Sequence, residues 1–122
     1  MKTDFVILLL IFTHWIADFI LQTDEMALNK SKSNYWLFIH VLVYSTVFLA
    51  PLIVIKLPYW YGVENVAFIF ITFICHFITD YITSRITSKL YKEDKRHWFF
   101  VMIGLDQFLH YTQLILTYSI LS

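Results

Sequence analysis

Glycine and proline are scarce, with two of each in 122 residues, and cysteine occurs once, as Cys75. So few chain breakers leave little material for long loops or a flexible linker, and a single domain over residues 1–122 is expected. The lone Cys75 excludes an intramolecular disulfide and a cysteine-built zinc knuckle; it reads as a small apolar core residue. Charge is also sparse. Only 15% of residues are charged, against about 25% in a water-soluble domain. The nine basic and nine acidic side chains cancel, which removes nucleic acid from the expected partners. No repeat of fixed period and no low-complexity tract occurs.

What fills the chain instead is apolar: 59% of residues are hydrophobic and 20% aromatic. The apolar residues gather into four segments, roughly 5–22, 35–55, 66–83 and 98–121. Each is close to the ~20 residues that cross a bilayer as a helix, and none alternates with the period of two that a strand requires. The expected fold is all-α, a membrane-spanning four-helix bundle with short loops, solvated by membrane lipids. The first segment carries His14 and Asp18 inside its apolar run and no clean small-residue cleavage site follows, so it reads as a retained helix and not a signal peptide. In the third connection Ile82, Ile86 and Leu90 recur every four residues, which predicts an amphipathic extension of the third helix. Seven of the nine Lys and Arg fall in the first and third connections or at Arg85. The positive-inside rule then puts those connections in the cytoplasm and both termini outside it. Tyr35/Trp36 and Tyr59/Trp60 suit interfacial anchoring, and His97 is expected at the interface.

The informative feature is where polar groups interrupt the apolar runs. Four of the five histidines, His14, His40, His76 and His110, lie within them, as do three of the six aspartates, Asp18, Asp80 and Asp106. No Lys or Arg falls deep in a segment to neutralise them. A carboxylate at mid-helix costs about 2.5–3.5 kcal/mol on insertion scales, so three left alone would cost roughly 8–10 kcal/mol. Their spacing suggests the compensation. His14/Asp18, His76/Asp80, Asp106/His110 and His40/Tyr44 are each four apart, and residues four apart share a helix face. Gln22 extends the first row and Ser84 the second. Each helix thus carries one polar stripe, and such stripes face inward. With the orientation above, the stripes fall at similar depth in the cytoplasmic half.

An excess of imidazole and carboxylate at one level suits a divalent metal, zinc foremost. Two ligands four apart can grip one ion from a single helix. Binding worth about 10–16 kcal/mol at a structural zinc site would offset the insertion cost. The candidate ligands are His14, Asp18, His40, His76, Asp80, Asp106 and His110. Asp18, Asp80 and Asp106 double as candidate catalytic acids or bases, because a partly ligated metal activates water and a spare carboxylate can take its proton. Gln22, Tyr44 and Gln107 are candidates to orient these groups, while Gln113 suits a bond to another helix. The leading expectation is a metal-dependent hydrolase acting on a lipid or lipid-linked substrate, with the basic third connection drawing phosphate headgroups to its entrance. A proton- or metal-ion transport protein, which would need polar residues running on to the outer face where Thr46 and Thr117 are the main candidates, and a non-enzymatic membrane accessory protein are the alternatives. A homo-oligomer is left open.

Residues 14–44, HWIADFILQTDEMALNKSKSNYWLFIHVLVY, resemble a family of small bacterial and phage integral membrane proteins of unknown function. The shared pattern is H-x-x-A-D-F-x-L-Q, then A-x-x-K, then L-x-x-H-x-x-x-Y, here His14, Ala17, Asp18, Phe19, Leu21, Gln22, Ala27, Lys30, Leu37, His40 and Tyr44. H-F-x-x-D-Y at His76 to Tyr81 and D-Q-x-x-H at Asp106 to His110 continue it over nearly the whole chain. The resemblance implies a multi-pass protein of a bacterial, or phage-infected host, inner membrane and selects the same polar residues; it supplies no activity. A looser likeness in architecture links the chain to membrane-bound metal-dependent hydrolases and to ceramidase-type intramembrane zinc amidases.

Overall fold

A computed structural model of the chain describes residues 2–55 and 62–122. Lys56, Pro58 and the Tyr59/Trp60 pair lie outside the described residues. Helices account for nearly all the rest, with no strand among the described residues. They are α1 (Thr3–Ile20), α2 (Asp24–Asn29), α3 (Asn34–Ile55), α4 (Val63–Lys92) and α5 (Arg96–Leu121). All but α2 are long and apolar enough to cross a membrane.

Local sequence explains the irregularities. The last turn of α1, Ile16–Ile20, is π-helical, closed by the Leu21 N–H donating to the Ile16 carbonyl at 2.9 Å. Such wide turns re-aim side chains and recur at functional sites; Asp18 sits in this one. α1 stops there, so Gln22 follows the helix and does not continue its stripe. The 23–34 connection, expected only as a polar loop, folds in part into α2, whose first turn is capped by Thr23 Oγ1 accepting from Met26 N–H at 3.2 Å. α3 breaks at Phe48, because Pro51 has no N–H to return to the Val47 carbonyl.

α4 is longer than the 66–83 segment. Its 30 residues make a rod of about 45 Å, beyond the ~30 Å of a bilayer's hydrocarbon. The helical extension predicted from Ile82, Ile86 and Leu90 therefore exists, but Ile82 and Ile86 are exposed. The opposite face, with Thr83 and Ser84 buried and Thr87 and Ser88 half-buried, turns inward. The turn into α5 closes as a Schellman motif: Lys95 N–H reaches the Leu90 carbonyl at 2.9 Å and Asp94 N–H the Tyr91 carbonyl at 3.1 Å. Asp94 takes the left-handed conformation this needs, at φ 56°, which Asp tolerates better than most residues.

α4 packs along α5 and α3, while α1 touches α3 and α5. One half of the bundle has an apolar core of Val6, Leu10, Phe48, Leu52, Phe68 and Leu114. The other half holds the buried polar residues. Outward, Phe12, Phe19, Phe70, Phe100 and Phe108 are all more than half exposed, as lipid-facing residues are. Cys75 is half-buried and unpaired, and His97 is exposed.

Candidate metal centre

All seven His and Asp residues singled out from the apolar segments meet in the polar half. His14, Asp18, His40, His76, Asp80 and His110 are at most 5% exposed, and the Asp106 side chain is 15% exposed. The four-residue spacing works as expected on α1, α4 and α5: His14–Asp18 is 3.8 Å, His76–Asp80 3.5 Å and His110–Asp106 3.3 Å, nitrogen to oxygen.

Four atoms from three helices form the tightest group: Asp18 Oδ1, His40 Nε2, His76 Nε2 and Asp80 Oδ2. His40 Nε2 lies 3.0 Å from Asp18, 3.2 Å from Asp80 and 3.1 Å from His76 Nε2. His76 Nε2 lies 3.6 Å from Asp18 and 3.5 Å from Asp80. Four ligands at about 2.0–2.1 Å from a central ion form a tetrahedron with edges of about 3.3–3.4 Å. The five edges that involve an imidazole nitrogen straddle that value, and the sixth, Asp18 to Asp80, is within 4.8 Å. Two imidazole nitrogens this close can share only one proton between them, and Asp18 Oδ1 is buried with no aligned hydrogen bond, although His40 Nε2 stands 3.0 Å away. Unsatisfied acceptor capacity converging on one point is what a cation would satisfy. Asp18 also groups with Asp106 and His110, whose ligand atoms lie within 4.8 Å of one another.

His14 comes to the cluster but joins neither group, because both of its ring nitrogens are engaged. Gln107 Oε1, which can only accept, takes the His14 Nε2–H at 2.7 Å. Nδ1 therefore accepts from the Tyr44 hydroxyl, at 2.7 Å. Gln107 passes the order on, its Nε2 donating to Asp106 Oδ2 at 3.1 Å. The Thr83 hydroxyl holds the other Asp106 oxygen at 2.5 Å. Asp80 Oδ1 accepts from His110 at 3.1 Å. Rings brace the rest: His76 is stacked between Tyr44, centroids 3.7 Å apart, and His110, 4.2 Å apart. Of the residues expected beside the site, Tyr44 bonds His14 and stacks on His76, and Gln107 bridges His14 and Asp106. Gln22 lines the adjoining cavity with its Oε1 buried and unpartnered.

Sequence reasoning missed Lys30. It lies outside every apolar segment, yet its ammonium reaches Asp80 Oδ2 at 2.8 Å. The expectation that no cation neutralises these carboxylates is thereby corrected. Burial pushes the Lys30 ammonium down, but Asp80 and Asp18 outweigh it and hold the group above the ordinary lysine value. The one signal is the A-x-x-K step, Ala27 to Lys30, of the pattern that carries the resemblance; spacing alone offers no reason to look there. Thr83 was also missed, one residue short of the row that points to Ser84.

From these residues a cavity of about 500 Å³ leads outward. Asp18, Asp80 and Asp106 lie at its floor and Lys32 and Lys92 along its walls, with Phe99 and Ile103 among the apolar lining.

A family model described as protein of unknown function (DUF3307) matches residues 5–122. No curated protein and no solved structure matches.

Proposed function

The chain belongs to the DUF3307 family, and from the geometry above we propose that it is a membrane-embedded, metal-dependent hydrolase acting on a lipid or lipid-linked substrate. The observation that carries this reading is the four-atom group of Asp18, His40, His76 and Asp80, with five of its six edges at 3.0–3.6 Å. Charge supports it. With the clustered histidines neutral, as metal ligation of His40 and His76 requires, three carboxylates facing one ammonium leave two negative charges, the charge of one divalent ion. Nitrogen and carboxylate donors at tetrahedral spacing favour zinc. His110 and His14 then orient neighbours, His110 through Asp80 and Asp106 and His14 through Gln107.

Catalytic zinc keeps an open position, so His40, His76 and one of the two carboxylates would hold the ion, leaving the fourth place for a water of lowered pKa or an ester oxygen. The protein supplies the rest. Asp106, held by Thr83 and Gln107 and open to the cavity, is placed to take the proton that water loses. Lys30 lies beside the site with a charge suited to an oxyanion. A conducting protein would need polar groups through both halves, and the apolar core of Leu10, Phe48, Phe68 and Leu114 interrupts them among the described residues. Beyond it, among the described residues, Gln113 contacts Thr72 and Thr117. Seven cationic residues in the two connections and at Arg85 favour the cavity end, and not the termini, facing the cytoplasm of a bacterial inner membrane.

Elemental analysis of the full-length protein in detergent tests the reading. About one zinc per chain is expected, lost in His76→Ala and in His40→Ala. Asp106→Ala should keep the metal and lose lipid hydrolysis, which a chelator should also abolish in the parent. Metal-free parent protein would remove the hypothesis.

A further inference from the structure

The inward face of α4 beyond Asp80 has no role in holding a metal, yet it is polar where the apolar periodicity predicts the reverse. Thr83, Ser84, Thr87 and Ser88 line the cavity along one side. Most of these hydroxyls are already committed. Thr83 serves Asp106, Thr87 donates to the Thr83 or Ser84 carbonyl at 3.0 Å, and Ser88 donates to Ser31 Oγ at 2.8 Å. Ser84 is the exception. It is 8% exposed, and its hydroxyl is buried without a partner beside the cavity. Ser31, having accepted from Ser88, keeps its own hydrogen to give. Lys32 and Lys92 stand on the same walls with exposed side chains, and neither has an ion-pair partner among the described residues.

Free donors and unpaired ammonium groups on the walls, above a floor of carboxylates, make a site for an anion only if the floor is itself covered by a cation. Phe99, Ile103 and Leu28 add an apolar lining. We propose that the cavity binds a phosphate-bearing amphiphile, its phosphate between the metal position and the donors of Ser84, Ser31, Lys32 and Lys92, its chain along Phe99 and Ile103. This names the substrate class for the hydrolase reading and rests on a metal being bound. Phosphate has the acceptor oxygens to answer several donors at once, and the apolar lining separates an amphiphile from free phosphate.

The test is binding by the full-length, zinc-loaded protein in detergent, followed by native mass spectrometry. The probes are dioleoyl phosphatidate, dioleoylglycerol and inorganic phosphate, with zinc content measured on the same samples. Phosphatidate should bind at least tenfold more tightly than either of the others. Ser84→Leu, which fills the cavity, and Lys92→Glu should each weaken phosphatidate at least fivefold while zinc stays bound. If Ser84→Leu disturbs zinc content, Lys92→Glu alone decides the placement. Equal binding of dioleoylglycerol would overturn phosphate recognition, and equal binding of inorganic phosphate would overturn the amphiphile. Unchanged phosphatidate binding in Lys92→Glu would overturn the placement. Zinc bound with no phosphatidate preference defeats this inference alone; protein that retains no zinc defeats the metal reading and this inference together.

Discussion

The two halves of the bundle use the same four helices for opposite ends. On one side of the His14–Asp80 level, α1, α3, α4 and α5 contribute Leu10, Phe48, Phe68 and Leu114, which pack with no exposed surface. On the other side, the next turns of those helices contribute Asp18, His40, Asp80 and Asp106. Lipid is as apolar as leucine, so the first set gains packing but little from leaving its surroundings. The second set loses hydration and must recover it internally. Among the described residues the apolar half therefore packs as a spacer, and the polar half is a charge network from which a cavity opens. A site built this way is a pocket with a floor, which suits turnover at one membrane face better than passage through it.

Substitutions can break that contrast. The largest effect is expected from Asp80→Ala, which strips partners from Lys30, His40 and His110 together. Removing one member of a buried ion pair costs about 3–5 kcal/mol, so thermal unfolding in detergent should show the variant strongly destabilised. Lys30→Met in the same chain should recover part of the loss. The Lys30 contribution has a definite pH sign. Its folded-state pKa is raised above the ordinary value of 10.5, so its stabilisation is complete below that value and fades as pH rises through the raised one. Lys30→Met should flatten this alkaline fall in the unfolding temperature.

Phe68→Ala attacks the apolar half. A void of that size costs about 3–5 kcal/mol in a water-soluble core, and less where lipid is the competing solvent. Stability should drop while zinc content stays unchanged; loss of zinc would mean the halves are not independent. Gln107→Leu cuts the link between His14 and Asp106 and leaves the buried His14 and the part-buried Asp106 each short of a partner, at about 1–3 kcal/mol. Hydrolysis should fall more than metal content. The smallest effect belongs to the turn outside both halves. Asp94→Val at φ 56° should cost about 1–2 kcal/mol, and Asp94→Gly almost nothing, by the same unfolding measurement.

Much of this arrangement is legible in the residues. Apolar length marks the four spanning helices, and the four-residue spacing of His14/Asp18, His76/Asp80 and Asp106/His110 marks the faces that converge. Three things are not legible, each for a physical reason. Lys30 reaches the site from a connection, on a stem long enough to lie along apolar surface while its charge sits elsewhere, so hydropathy counts it as a loop residue. The wide turn at Ile16–Ile20 changes which way Asp18 points without changing composition. Past Asp80, the spacing of Ile82 and Ile86 locates an apolar stripe on α4 but not what that stripe faces. In lipid an apolar stripe faces out.

X-ray absorption at the zinc edge of the purified, zinc-loaded protein addresses the centre itself. Four nitrogen or oxygen neighbours at about 2.0–2.1 Å are predicted, with the outer-shell scattering of two imidazoles from His40 and His76. His76→Ala, which is expected to retain no zinc, should give no such spectrum under the same loading. A shell of six oxygens without imidazole, or a spectrum indifferent to His76, would contradict the account.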